Sequence, residues 1–272
     1  MSSTTLPDRP GPQAEAEEPG GKMSFFQHLA ELRKRLIRSA AAILIGALVG
    51  FYVARRVLEF VARPMYTALR TAHMEDKLIY TNPTGYLNMV ITLGIYLGIV
   101  MALPYVLYQV WLFIAPGLYR HERKAVFGFV TCSFVLFLCG VAFAYYLMLP
   151  RLLTFLVTFQ GPHSTFSPLI SVNEYFDLLL MVLLGVGVIF EMPILIFFLA
   201  FFGIVTPGFL WRNFRYAILI ITIVAAIITP TPDATTMLVF MAPMILLYAV
   251  GIGVAWLVVR RREKPAHEGG VR

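Results

Sequence analysis

Three carboxylates stand where their surroundings could give them work. Glu31 lies in Ser24–Leu36, SFFQHLAELRKRL, among Arg33, Lys34 and Arg35. Glu122 lies in the short hydrophilic link Tyr119-Arg120-His121-Glu122-Arg123-Lys124. Glu191 lies in the otherwise apolar run VIFEMPI. A carboxylate accepts two parallel hydrogen bonds from a guanidinium, so Glu31 and Glu122 have the chemistry to receive a cationic partner rich in arginine. The plainer alternative is charge balance: exposed ion pairs are common and weak, and Glu31 and Arg35 already stand four residues apart on a helix. For Glu191 the balance differs. A charged acid in mid-membrane costs about 2.5–3.5 kcal/mol on insertion scales, so it should face a bundle interior or a wet cavity. Pro193, two residues on, disturbs the preceding turn and offers polar company. The alternative is a buried acid satisfied by a Ser, Thr or Tyr of a neighbouring helix.

Nothing else in the chain suggests catalysis or a bound group. No H-E-x-x-H, G-x-S-x-G or P-loop pattern occurs, so no catalytic residue, metal site or cofactor is expected. Cys132 and Cys139 are two turns apart on one helix, about 10 Å by helical rise, too far to bridge, and read as inert core thiols.

The elements that must carry these acids are set by composition. The chain has 272 residues, 59% hydrophobic and 14% charged, with a mean hydropathy of +0.77. A soluble domain is about 45–50% apolar and about 25% charged, so this chain has too little polar surface for a water-exposed globule. The class is an all-α polytopic membrane protein. A span needs about 20 mainly apolar residues. Six are expected, at about 36–54, 86–114, 125–149, 178–202, 217–229 and 236–259. The second carries Pro104, which should kink it. The third stops at Pro150-Arg151. The fifth would reach only about 20 Å as helix and needs local thinning or help from flanking residues. Residues 152–173, broken by Gly161-Pro162 and Pro168, read as an external cap. Ser24 with Gln27 is a capping-box pattern that starts a helix, and Phe25, Leu29, Leu32 and Leu36 give it an apolar stripe. Gly46-x-x-x-Gly50 and Gly94-x-x-x-Gly98 fit close helix packing but match easily by chance. Residues 1–22 read as a disordered cytoplasmic tail without a signal-peptide h-region, and 261–272 as a basic cytoplasmic tail.

The net charge of +7 is mainly an address. Lys22, Arg33, Lys34, Arg35 and Arg38, then Arg120, Arg123 and Lys124, Arg212 and Arg215, and the run Arg260–Lys264 with Arg272 all fall on the side of the termini. They outnumber Arg55, Arg56, Arg63, Arg70, Lys77 and Arg151 opposite, which places both termini in the cytoplasm. Trp111, Trp211 and Trp256 fall near the cytoplasmic ends, where interface anchors belong. This segregation leaves a nucleic-acid partner without support. The basic external stretch with Arg55 and Arg56 has no reading beyond contact with membrane lipids.

Several motifs in order resemble the TatC family, the core receptor of the twin-arginine protein translocase. They are His28–Leu36 (HLAELRKRL), Leu103–Tyr119 (LPYVLYQVWLFIAPGLY), His121-Glu122-Arg123, Phe143-Ala144-Tyr145, Phe190-Glu191-Met192-Pro193 and Thr229-Pro230-Thr231-Pro232-Asp233. The resemblance covers about residues 24–260. It implies six spans in a concave, glove-like bundle in the bacterial inner membrane, and a non-enzymatic receptor and scaffold for proton-motive-force-driven export of folded proteins. It further implies that Glu31 and Glu122, tuned by Arg33 and Arg123, bind the twin-arginine signal peptide. Glu191 would be the intramembrane polar contact for a single-span partner. Thr231, Pro232 and Asp233 would dock TatA- and TatB-type single-span subunits, and further copies of the chain would complete the receptor complex. Pro104, Phe113 and Pro193 fall on motif positions that set helix shape. The turn Thr-Pro-Thr-Pro-Asp departs from the shorter Thr-Pro-Pro-Asp form. Taken without the resemblance, the competing reading is a proton-coupled small-solute transporter that uses Glu191 as its carrier.

Overall fold

The structure, a computed structural model, describes residues 25–75, 77–114, 123–159, 170–229 and 233–263. The tail 1–22, Glu122, Thr231 and Pro232 therefore lie outside the described residues, and of Arg123 only the backbone is described.

Helix α1 runs Phe25–Thr71, α2 Gly85–Ile114, and α3 Arg123–Phe143. A π-helical turn, Ala144–Met148, joins α3 to α4, Leu149–Thr158. Helices α5, Val172–Phe190, and α6, Met192–Phe201, are separated by Glu191. The short α7, Pro207–Arg212, leads into α8, Phe214–Ile228, and α9 covers Ala234–Glu263. Among the described residues five stretches are long and apolar enough to span, and α8, at 15 residues, is the shorter sixth. Helices α1 and α9 outreach the apolar windows read from sequence, because hydrogen-bonded turns continue past the arginines that mark the membrane boundary.

The third span also behaves differently at its end. The helix does not stop at Pro150-Arg151 but continues to Thr158. In the π turn the Leu149 amide bonds to Ala144 O, five residues back. That widened turn opens the ladder just before the proline, where an ordinary turn would meet the ring of Pro150. The 152–173 region, expected as an external cap, is thus helical as far as Thr158 and continuous with the third span, Phe127–Thr158, with Leu152, Leu153 and Val157 buried in the main core.

Helices α1 and α2 pack antiparallel with their glycines in register. A Cβ built on Gly46 would stand 2.5 Å from Gly98 O, and one on Gly94 2.8 Å from Phe51 Cα. Gly50 likewise abuts Gly94 O, and Gly98 abuts the Ala47 backbone. In lipid there is no hydrophobic gain from bringing two helices together, so this close backbone approach supplies the dispersion contacts that hold them. The two G-x-x-x-G patterns face each other.

Tyrosine hydroxyls secure the places where helices are irregular. Pro64 lacks the amide that would bond Phe60 O. The Tyr145 hydroxyl donates to that carbonyl at 2.5 Å, and Tyr175 donates to the adjacent Val61 O at 2.8 Å. At the α7–α8 break, Tyr248 donates to Leu210 O at 3.0 Å. On the external side, Ile79 and Ser171 form a single parallel bridge, with Ile79 N bonded to Ile170 O at 3.0 Å and Val172 N to Ile79 O at 2.9 Å. This ties the loop after α1 to the start of α5. Gly203, at φ 74°, ends α6 in the left-handed conformation that glycine adopts without penalty.

Candidate functional site

The chemistry-bearing residues fall into three stations along the membrane normal rather than one cleft. At the cytoplasmic end of α1, Glu31, Arg35, Ser39, Gly46, Gly50 and Ala54 follow helical spacing on the face turned to α2. The expected pair forms: Arg35 Nε donates to Glu31 Oε1 at 3.1 Å, and a second guanidinium nitrogen reaches the same oxygen. The pair is largely sheltered, with 23% of the Glu31 side chain and 17% of the Arg35 side chain exposed. Glu31 Oε2 is buried and has no hydrogen-bond partner among the described residues. Arg33 is exposed on the other side of the helix.

Gln109 belongs to the same end. It lies on the stripe of α2 that includes Gly94, Gly98 and Ala102, and the antiparallel register sets it level with Arg35. It is buried, and its Oε1 is also without a partner among the described residues. The helix pair therefore presents two sheltered, acceptor-only oxygens at its cytoplasmic end. Such atoms are costly to leave unsatisfied, and a donor-rich cation is the group that satisfies both. Sequence reasoning missed Gln109; the signal was its place four residues and two turns beyond a glycine stripe, on a face that has to be covered. Phe113 is half-buried one turn further, and Pro104 lies within a continuous α2.

The second station is Glu191. It occupies the break between α5 and α6, its carbonyl accepting from Ile194 N at 3.1 Å and Leu195 N at 3.0 Å. Pro193 fits there because the first turn of a helix has no use for its missing amide. The fully buried Ser133 of α3 donates its hydroxyl to Glu191 Oε2. Glu191 Oε1 is buried without a partner among the described residues. The residue is thus partly in the satisfied state that the plainer alternative envisaged, and partly open. Trp111, expected as an interface anchor, is instead buried, its ring stacked on Phe198 at 3.9 Å beside Val130 and Ile194. Trp211 and Trp256 remain exposed, as anchors are. The two cysteines face outward from α3 and are not core thiols, because the inward stripe of that helix is taken by Val130, Ser133, Phe137 and Gly140.

The third station is Asp233. Its Oδ2 accepts from Thr236 N at 2.7 Å and its carbonyl from Met237 N at 3.2 Å, so it caps the start of α9. This is the external end of the bundle, opposite Glu31, so the two acids cannot serve one ligand site. Among the described residues no three His, Cys, Asp or Glu side chains gather as metal ligands.

The family model for Sec-independent protein translocase protein (TatC) matches residues 27–243. The chain is 49% identical over 249 residues to the Sec-independent protein translocase protein TatC of Koribacter versatilis, covering 90% of this chain and 91% of that one. It is 36% identical over 242 residues to the TatC of Aquifex aeolicus, covering 89% and 98%. A crystal structure of a twin-arginine translocase receptor, TatC, superposes with a TM-score of 0.74 at 37% identity, over 86% of this chain and 100% of that one.

Proposed function

We propose, from the premise that this chain belongs to the TatC family of Sec-independent protein translocase proteins, that it receives twin-arginine signal peptides at the cytoplasmic ends of α1 and α2. As a family member it is a non-enzymatic, multi-pass component of the protein translocase of the bacterial inner membrane. The observation that carries the finer reading is Glu31. Arg35 holds one carboxylate oxygen in place and leaves the other sheltered and without a partner among the described residues. A preoriented carboxylate with a free oxygen suits a guanidinium, whose fork of donors exceeds what an ammonium presents.

Glu122 would supply the second carboxylate for the consecutive arginines, with Arg33 and Arg123 repelling poorly placed cations. Glu191 would contact a polar residue of a single-span TatA- or TatB-type subunit through the oxygen that Ser133 leaves open. Asp233, with Thr231 and Pro232, would form the external docking edge for such a subunit, and several copies of the chain would share one receptor complex. The transporter reading of Glu191 has no observation in its favour once the chain is placed in a translocase family.

The test is photo-crosslinking of a labelled twin-arginine precursor to the protein in membranes. Glu31→Ala and Glu122→Ala should each lower the crosslink by about ten- to a hundredfold, the loss of one charge-assisted pair worth about 1.5–3 kcal/mol. Undiminished crosslinking in both would overturn the assignment.

A further inference from the structure

An apolar cavity of about 270 Å³ opens in the outer half of the bundle, lined by α1, α2, the α3 and π-turn segment, and α5. Val57, Phe60 and Tyr145 stand at its external end, and Leu97 and Leu180 lie among its walls. Its lining is almost wholly carbon. A held water needs two to four polar partners, which this lining does not offer, so the cavity suits hydrocarbon.

The rim of the same cavity is cationic. The Arg63 guanidinium lies over the Phe60 ring at 5.6 Å from its centroid, and it is close enough to the Tyr145 hydroxyl to act on it electrostatically. Phe60 and Tyr145 both line the cavity, and their rings stack at 4.8 Å. One face of α1 continues the charge: Arg56 lies over Tyr52 at 5.7 Å, seven residues before Arg63, beside Arg55. Seven residues are two helical turns, so Arg56 and Arg63 project on one side. Glu59 between them leaves the patch net positive. These arginines begin where the first apolar stretch ends, and they run against the topological preference that places basic residues inside.

We propose that this is a binding site for one anionic glycerophospholipid of the outer leaflet. An acyl chain fills the cavity past Val57 and Leu97, and the phosphate sits at the rim against the Arg63 guanidinium, with Arg56 adding attraction. A zwitterionic headgroup brings its own cation to a patch already positive, so the site selects for net negative charge. Aromatic rings beneath the guanidinium groups suit the boundary, where one side is apolar and the other wet.

The full-length protein would be reconstituted in nanodiscs containing equal amounts of phosphatidylglycerol and phosphatidylcholine of identical acyl chains. The lipids retained on release would be read by native mass spectrometry. Wild type should retain phosphatidylglycerol in preference. Arg63→Gln should lower that preference about fivefold, the effect of about one basic residue near an anionic lipid. Arg63→Lys should keep most of it, and Arg56→Gln should lower it less. Leu97→Trp, which fills the cavity, should reduce retention of both lipids. No preference in wild type would overturn the site, as would a preference unchanged by both Arg63→Gln and Arg56→Gln. An equal loss from Arg215→Gln on the cytoplasmic side would reduce the effect to general charge and overturn it too. Retention unchanged by Leu97→Trp would remove the acyl chain from the cavity.

Discussion

Ser133 on α3 donates its hydroxyl to Oε2 of Glu191 at the α5–α6 break, and so joins the only two side-chain groups that put an acid and its donor in this part of the membrane among the described residues. The bond stitches α3 to a helix interrupted at its acid. Ser133→Ala should destabilise the protein by about 1–3 kcal/mol, since it leaves a buried acceptor unmade. Thermal unfolding of the purified protein in detergent measures this. In a double-mutant cycle with Glu191→Ala the two effects should be non-additive by at least about 0.5 kcal/mol. Additive effects would mean that the two groups do not depend on each other.

The α1–α2 glycines make a sharper prediction. Gly98→Ala places a methyl against the Ala47 backbone, where no side chain can turn aside. Overpacking of this kind costs about 1–3 kcal/mol. Gly128, on α3, has open space around its absent Cβ. Gly128→Ala should therefore be neutral or should stabilise by about 0.5–1 kcal/mol through helix propensity. Unfolding midpoints for the two variants should move in opposite directions or, at least, only the first should fall.

Tyr145 and Tyr175 hold consecutive carbonyls beside Pro64. Tyr145→Phe and Tyr175→Phe keep the rings and remove only the donors, so each should cost about 1 kcal/mol. The loss should be local. Hydrogen exchange of amides near Pro64 should quicken several-fold, while amides at the Gly46–Gly98 contact stay protected. Uniform quickening throughout α1 would show instead that the hydroxyls support the whole helix.

How much of this was readable in the chain depends on what each feature needs. The spans were legible because they need only length and hydropathy, and the Glu31–Arg35 pair because it needs only a helical spacing of four. The facing G-x-x-x-G patterns were visible, but sequence does not say that Gly46 meets Gly98 rather than lipid. The tyrosine bonds were not legible, because their acceptors are carbonyls on a different helix, one of them released by Pro64 and one left at the end of α7. Trp111 misled for a related reason: its distance from the helix end matches an interface anchor, yet Phe198 of α6 offers it a ring to stack on. Pro150 was read as a stop because the π turn that accommodates it leaves no mark in the residue types around it. Ser133 was legible only as a kind of partner for Glu191, and Gln109 only as a continuation of the Gly94–Gly98 stripe, since its environment is set by α1.

The Glu31–Arg35 geometry bears on how a receptor tells arginine from lysine. If Glu31 acted only as a negative charge, removing Arg35 would strengthen its pull on any cation, by relieving the partial neutralisation. If orientation matters, removing Arg35 frees the carboxylate to turn, and the alignment of Oε2 on an incoming guanidinium is what is lost. An ammonium is a point charge with rotatable donors and has no such fit to lose. Arg35→Gln should therefore lower affinity for a twin-arginine signal peptide while leaving affinity for the twin-lysine version equal or raised, so that the ratio between them shrinks. Fluorescence titration of both labelled peptides against the reconstituted protein, at two salt concentrations, measures that ratio. An equal fall for both peptides would make Arg35 a structural brace of α1 only, and a rise for both would make Glu31 a simple charge.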